Sequence, residues 1–256
     1  MKKQFLFLVA LIGYLYSFGQ ETDAFKKIAV FNLNSINEKL FGGTAVKKNE
    51  FMWKPDFQEL FAFSQVVSYD GYCHTKIDTA FSIKSYGNNY VLIIYATFRY
   101  ETKNEVSDCH GCSVVLSAAL IRDAPDKTSY VEQFEKGFTS FGSYGTGGTY
   151  SIEKIGKDKF ALALKSGFTG QGNTTESKTY YNIDPYASPY LTKLFSYDTE
   201  LSSDMGSTET NTLSTLPNPK SDYFDFVLTN KKDGKVSPVK RRYAFYEEGG
   251  IYIPAK

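Results

Sequence analysis

Two short segments, Cys73-His74 and Cys109-His110-Gly111-Cys112, hold all 3 Cys and both His of this 256-residue chain. Three kinds of chemistry suit those residue types at that spacing. A disulfide between Cys109 and Cys112 is sterically sound, because a four-residue turn brings its end Cα atoms within about 7 Å and a disulfide wants them about 4.4–6.8 Å apart. Gly111 at the third turn position accepts a positive φ. A metal site is the second reading. Cys109 and Cys112 would supply two thiolates at knuckle spacing, with His110, Cys73 or His74 completing the shell, and such a donor set suits zinc or copper. The third is a redox dithiol in which His110 lowers the pKa of Cys109. Such dithiols open a helix, whereas the residues after Cys112 read as a strand. Haem attachment is excluded, because Ser113 stands where that motif needs histidine. Without a metal, Cys73 is left over, either as a small apolar core residue or as a link to a partner.

The N-terminus favours the disulfide. Lys2 and Lys3 precede an apolar run, Phe5 to Leu15, and Ser17-Phe18-Gly19 supplies the small-x-small pattern of a cleavage site. Residues 1–19 therefore read as a signal peptide, and the destination as periplasmic or extracellular, where a disulfide persists. The apolar run is shorter than the roughly 20 residues a membrane span needs, and no later segment matches one. No cysteine near the cleavage point is placed to take a lipid.

Removing Lys2 and Lys3 takes the formal charge from +1 to −1. That balance argues against nucleic acid as a partner, which demands a basic face for the phosphates. The residues from 20 to 256 suffice for one β-rich domain with its own core. Twenty Tyr and 21 Phe against 1 Trp favour strands, where flat rings pack on a pleated surface.

The segments that would position the cysteines are extended. Tyr90–Tyr100 is β-branched and aromatic on both faces, as in a central strand, and Ser113–Arg122 is equally apolar. The Cys109–Cys112 segment would be the loop between them. Further strands are expected at Tyr130–Phe138, Gly148–Ile155, Phe160–Lys165, Lys178–Ile183, Leu191–Tyr197, Tyr223–Thr229, Arg242–Tyr246 and Ile251–Ile253. Turn clusters such as Lys232-Asp233-Gly234 and Glu248-Gly249-Gly250 separate them. Short helices are expected only near the start, at Ser35–Leu40 and Asp56–Val67. In the second, Asp56 caps the first turn and Phe57, Leu60, Phe61 and Ser64 share a face. The polar stretch Asp198–Asp222 reads as a mobile Ser/Thr-rich loop. The expected fold is all-β and mainly antiparallel, a sandwich, open barrel or partial propeller in one domain.

Several motifs together resemble a family of exported bacterial proteins of uncharacterised function built around Cys-His-x-Cys. They are Asp108-Cys109-His110-Gly111-Cys112, Phe141-Gly142-Ser143-Tyr144-Gly145, Ile155-Gly156-Lys157-Asp158-Lys159-Phe160, Gly167-Phe168-Thr169-Gly170-Gln171-Gly172, and Arg242-Tyr243-Ala244-Phe245 with Tyr252. The likeness spans roughly residues 90–256. Members often carry Ala and Pro around the second cysteine and Trp in the glycine segment, where Gly111, Ser113 and Tyr144 stand here. The resemblance implies export and a shared fold, and brings no activity or substrate.

Other motifs are bland. Gly145-Thr146-Gly147-Gly148 lacks the helix of a dinucleotide loop and reads as a hairpin turn. There is no Gly-x-Ser-x-Gly and no histidine apart from the cysteines to serve a serine. Glu247 and Glu248 read as a solvated turn. Asn173-Thr174-Thr175 fits a glycosylation triplet, and Asp78-Thr79-Ala80 resembles a periplasmic O-glycosylation acceptor or else belongs to a buried strand. With no nucleophile–base set, the sequence favours a non-enzymatic binding or envelope-associated role without a cofactor. Tyr144, Tyr180 and Tyr181 are the candidate stacking surfaces for an envelope glycan or protein. The alternative is a zinc, copper or thiol-redox protein centred on Cys109, His110 and Cys112.

Overall fold

The computed structural model describes residues 33–255 except 48, 104, 108–111, 124–128, 143–147, 171–172 and 204–205. The fold is all-β and antiparallel, with two short helices near the start of the described chain. Its contacts divide it into two compact units, one of residues 1–106 and 115–139, the other of residues 107–114 and 140–256. Each unit has its own aromatic core.

The first unit holds a six-stranded sheet in the order β1-β2-β3-β4-β7-β8. These strands are β1 (Thr44–Lys47), β2 (Glu50–Trp53), β3 (Cys73–Ser85), β4 (Asn88–Phe98), β7 (Val114–Asp123) and β8 (Ser129–Phe141). A small two-stranded ladder, β5 (Tyr100–Thr102) and β6 (Glu105–Val106), lies between β4 and β7 in sequence. β4 is buried on both faces from Tyr90 to Ala96, as its unbroken apolar run implies. On one face Phe41, Phe51, Trp53, Phe63, Cys73 and Tyr95 form the core. Part of the polar interior is linked in a chain: Trp53 Nε1–H donates to Thr75 Oγ1 at 2.9 Å, which shares a hydrogen bond with Thr97 Oγ1 at 2.8 Å.

The helices are α1 (Leu33–Phe41) and α2 (Glu59–Phe63), the latter continued by a 3₁₀ turn, Ser64–Val66. Asp56 caps α2 as expected: its Oδ1 accepts from the N–H groups of Gln58 and Glu59, while Glu59 Oε2 accepts from the Asp56 N–H at 2.9 Å. That reciprocal pair is a capping box. The buried face differs from the one read in sequence. Phe63 and Val66 enter the core, whereas Phe57 and Phe61 are 91% and 95% exposed. Phe63 packs 5.0 Å from Trp53 by ring centroids, and Lys136 of β8, paired with Glu59 Oε1 and 4.5 Å from the Trp53 centroid, lies on the same side.

The second unit is one meander of eight strands, in sheet order β16-β15-β14-β13-β12-β11-β10-β9. They are β9 (Thr149–Lys154), β10 (Phe160–Gly170), β11 (Asn173–Asn182), β12 (Lys193–Ser203), β13 (Thr208–Leu216), β14 (Asp225–Lys232), β15 (Lys235–Tyr246) and β16 (Ile251–Pro254). The stretch Asp198–Asp222, expected as a mobile loop, contains the end of β12 and all of β13. Its threonines suit a strand whose faces are not sealed by a core, and composition alone misreads such a strand as a loop.

Bulges in the β11–β12 and β14–β15 ladders bend this sheet. It curls until the Phe195 ring of β12 lies 6.3 Å from Tyr252 of β16. One end is drawn together, because the Phe224 N–H donates to Ile155 O and the Lys157 N–H to Asp222 O, both at 2.7 Å. Gly156 makes this approach feasible: a Cβ there would lie 2.1 Å from the Asp222 carbonyl oxygen. That end is filled by Ile155, Tyr180, Tyr223, Phe226 and Tyr252. The outer strands β9 and β16 are not neighbours in the ladder, so the sheet is not closed into a barrel.

Candidate functional site

Of the residues singled out for chemistry, Cys73, His74 and Cys112 are among those described, and Cys73 and His74 face opposite ways. Cys73 opens β3, opposite Trp53, and its side chain is fully covered in the first unit's core. Burial, followed by the nearby Glu59 carboxylate, pushes its thiol up to about 12. His74, the next residue, faces the other side of β3, as strand alternation requires. Its Nε2 lies 3.0 Å from Asp70 Oδ2, and its ring sits 4.7 Å from that of Tyr100. Adjacent positions on one strand thus send the sulfur and the imidazole to opposite faces. Cys112 is half-buried, with Sγ 3.1 Å from Ser107 Oγ. Cys73 is the only free cysteine among the described residues, and these hold no group of three His, Cys, Asp or Glu placed for a metal. Cys109 and His110 lie outside the described residues, as does Tyr144.

Tyr180 and Tyr181 are not exposed stacking surfaces either. Both are buried on β11, where Tyr180 donates its hydroxyl to Glu153 Oε2 at 2.7 Å. Burial first, then the Glu153 charge, raise the Tyr180 hydroxyl far above its ordinary range and keep it a donor. Thr79 of the Asp78-Thr79-Ala80 triplet is buried in β3, and Asn173 is exposed at the start of β11.

What the fold does build is a trough of about 420 Å³ on the concave face of the second sheet, toward its open end. The register explains it. Leu213 pairs Leu228, which pairs Arg241, while Asn211 pairs Asn230, so residues two apart on β13, β14 and β15 share the concave face. Half-buried Phe195, Tyr197 and Tyr243 form an aromatic floor, with Phe195 4.8 Å from Tyr243 and 5.9 Å from Tyr197 by ring centroids. Around them stand Asp198, Glu209, Asn211, Asn230 and Arg241.

Three of these side chains, Glu209, Asn211 and Asn230, are held in place. Asn230 Nδ2 donates to Glu209 Oε1 at 2.6 Å and to Asn211 Oδ1 at 3.0 Å, and Asn211 Nδ2 donates to the Asp198 carbonyl at 2.8 Å. Planar amide, carboxylate and guanidinium groups beside aromatic rings can take a ligand with an apolar ring face and hydroxyls at its edge.

A second cleft of about 420 Å³ lies around Lys159, Asp184, Tyr186, Tyr223 and Phe245. Its carboxylates are all engaged within the protein. Lys159 pairs with Asp184, Ser221 donates to Glu247 at 3.1 Å, and Tyr246 donates to Glu248 at 2.6 Å. Glu247 and Glu248 are exposed in the turn between β15 and β16, as the sequence implies. The trough is therefore the better candidate.

Sequence reasoning singled out none of the trough's residues. The signal was present as alternation, in Glu209-x-Asn211-x-Leu213, Leu228-x-Asn230 and Arg241-x-Tyr243. Without the register, nothing says that the three pairs face each other. No protein-family model, curated protein or solved structure matches the chain.

Proposed function

We propose that this is an exported, non-enzymatic binding protein with an envelope-associated role, that its ligand site is the trough of the second sheet, and that the ligand is a glycan. The observation that carries the reading is the fixed Asn211–Asn230–Glu209 set, anchored on the Asp198 backbone carbonyl, on the same face as the Phe195, Tyr197 and Tyr243 rings. Side chains already tied to one another lose little freedom when a ligand arrives, so each polar contact contributes more net affinity. Export is supported by Lys2, Lys3, the apolar run Phe5 to Leu15 and the Ser17-Phe18-Gly19 site. No described helix is long and apolar enough to cross a membrane.

A Cys109–Cys112 disulfide that stiffens the segment before β7 belongs to the same proposal. Cys73 is free and sealed in the core, Cys112 is not among the free thiols, and Cys109 is the only other cysteine in the chain. Isothermal titration of the full chain against envelope oligosaccharides and peptides tests the function. Saccharide binding that Tyr197→Ala and Asn230→Ala each weaken at least tenfold, with thermal unfolding still cooperative, is the expected result. Silence across the panel, or binding indifferent to both substitutions, rejects the trough as the site.

A further inference from the structure

The concave face continues beyond the trough into a cationic hairpin. Glu209 pairs Lys232 across β13 and β14, and Lys232 pairs Lys235 across the turn into β15. Paired residues share a face, so Lys232 and Lys235 stand on the same surface as Asn211 and Asn230, one row further out. Arg241, opposite Leu228, bounds the amide row on its other side. From the row of Leu228 to that of Lys232 is four residues, or about 13 Å at 3.3 Å per residue. That is longer than a single sugar ring and suits a short run of linked ones.

All three cations are exposed, and none is held in an ion pair with a described residue. The surroundings reinforce their charge. Between Lys231 and Arg242 the chain carries six basic residues and one acid, Asp233, in a protein whose formal charge is only +1. Asp233 is occupied, its Oδ1 accepting from the Ser207 hydroxyl and the Thr208 N–H at 3.2 and 2.9 Å. Among the described residues only one carboxylate pairs with any of the six cations, the buried Asp225 with Arg242. Glu209, the acid nearest the lysines, is engaged by Asn230.

We propose that the glycan is polyanionic: a saccharide bearing carboxylates, its rings over Tyr197 and Tyr243 and its acid groups along Lys232, Lys235 and Arg241. The inference rests on the reading of the trough as a saccharide site and adds the ligand's charge. A hydroxylated ring supplies what the floor and amides recognise. A regular row of negative charge is what the unpaired cations at both sides of the amide row complement.

The test compares two forms of one backbone, oligogalacturonate and its fully methyl-esterified counterpart, titrated into the full chain at low and at high salt. At low salt the acid form is expected to bind about tenfold tighter or more, and raising the salt should shrink the difference, because exposed charges are screened beyond the Debye length. In the Lys232→Gln/Lys235→Gln double variant the two forms should bind alike. Equal binding of both forms by the wild-type chain overturns the anionic assignment while leaving the trough in place. Binding of neither form overturns both readings. Anionic lipid vesicles or duplex DNA binding as tightly as oligogalacturonate, untouched by Tyr197→Ala, would show a hairpin that attracts any polyanion and overturn the saccharide. Failure of Tyr197→Ala to weaken oligogalacturonate would do the same.

Discussion

Thiol counting separates the readings of the cysteine pairs, because the structure assigns Cys73 a very slow rate of reaction. Its side chain is fully covered at the head of β3, and burial with the Glu59 charge raises the thiol from 9.0 to about 12. At about pH 8 an ordinary thiol is roughly one-tenth ionised, whereas one titrating three units higher is ionised in roughly one molecule in ten thousand. The smaller thiolate population alone slows alkylation about a thousandfold, and lack of access slows it further. Ellman's reagent added to the native chain should therefore release nothing while free cysteine in a parallel tube reacts to completion. Concentrated guanidinium without reductant should then release one thiol per chain, from Cys73, if Cys109 and Cys112 are joined. A fast equivalent in the native state would refute either the sealed position of Cys73 or the bridge. Three equivalents on denaturation would refute the bridge outright and return the metal and dithiol readings to the front.

Three further outcomes follow from local geometry. Partial burial alone would raise the Asp70 carboxyl, but hydrogen bonds from His74 and the Tyr72 N–H, with the His74 charge, hold it below its ordinary 3.8. That contribution is complete above the unfolded-state pKa and is lost as pH falls through the folded-state value. The urea midpoint should accordingly fall faster below about pH 4 for the wild type than for Asp70→Asn, and parallel curves would sink the argument. Gly156→Ala should destabilise the second unit by about 2 kcal/mol or more, since its Cβ would meet the Asp222 oxygen. Gly167→Ala, whose nearest contact would be Glu176 Cγ at 3.4 Å, is the matched control expected to be near neutral in the same melts. Phe61→Ser should change stability by under about 0.5 kcal/mol, while Phe63→Ala should cost about 3–5 kcal/mol. The opposite ranking would mean that α2 presents the other face.

Legibility in the sequence tracked burial. The run from Tyr90 to Ala96 is a strand with no polar face because both of its faces are covered, and its composition could mean little else. β3 escaped notice although it is as long as any strand in the chain. A register shift between Ile77 and Thr79 interrupts its alternation, so Cys73, Thr75 and Ile77 fall on one phase and Ala80 on the other. In α2 the helical spacing of Phe57, Leu60 and Phe61 is real, yet spacing cannot say which face turns inward. The partners that distinguish the faces, Trp53 against Phe63 and Lys136 against Glu59, are not local in sequence.

The trough was invisible for a related reason, and the reason bears on how such sites arise. β13 is rich in Thr, Glu and Asn, and its alternate residues, Glu209 and Asn211, look like loop residues when read alone. They remain in a strand because the backbone ladder to β14 runs unbroken from Glu209–Lys232 to Leu216–Asp225. The site's specificity lies in what stands opposite: an amide facing an amide, a carboxylate beside a lysine, a leucine beside an arginine. None of those pairings is local in sequence, and all follow once the hairpin Lys232-Asp233-Gly234-Lys235 sets the register. A one-residue slip there would turn Lys232, Asn230 and Leu228 to the convex face together. The turn should therefore govern ligand binding as strongly as any residue the ligand touches.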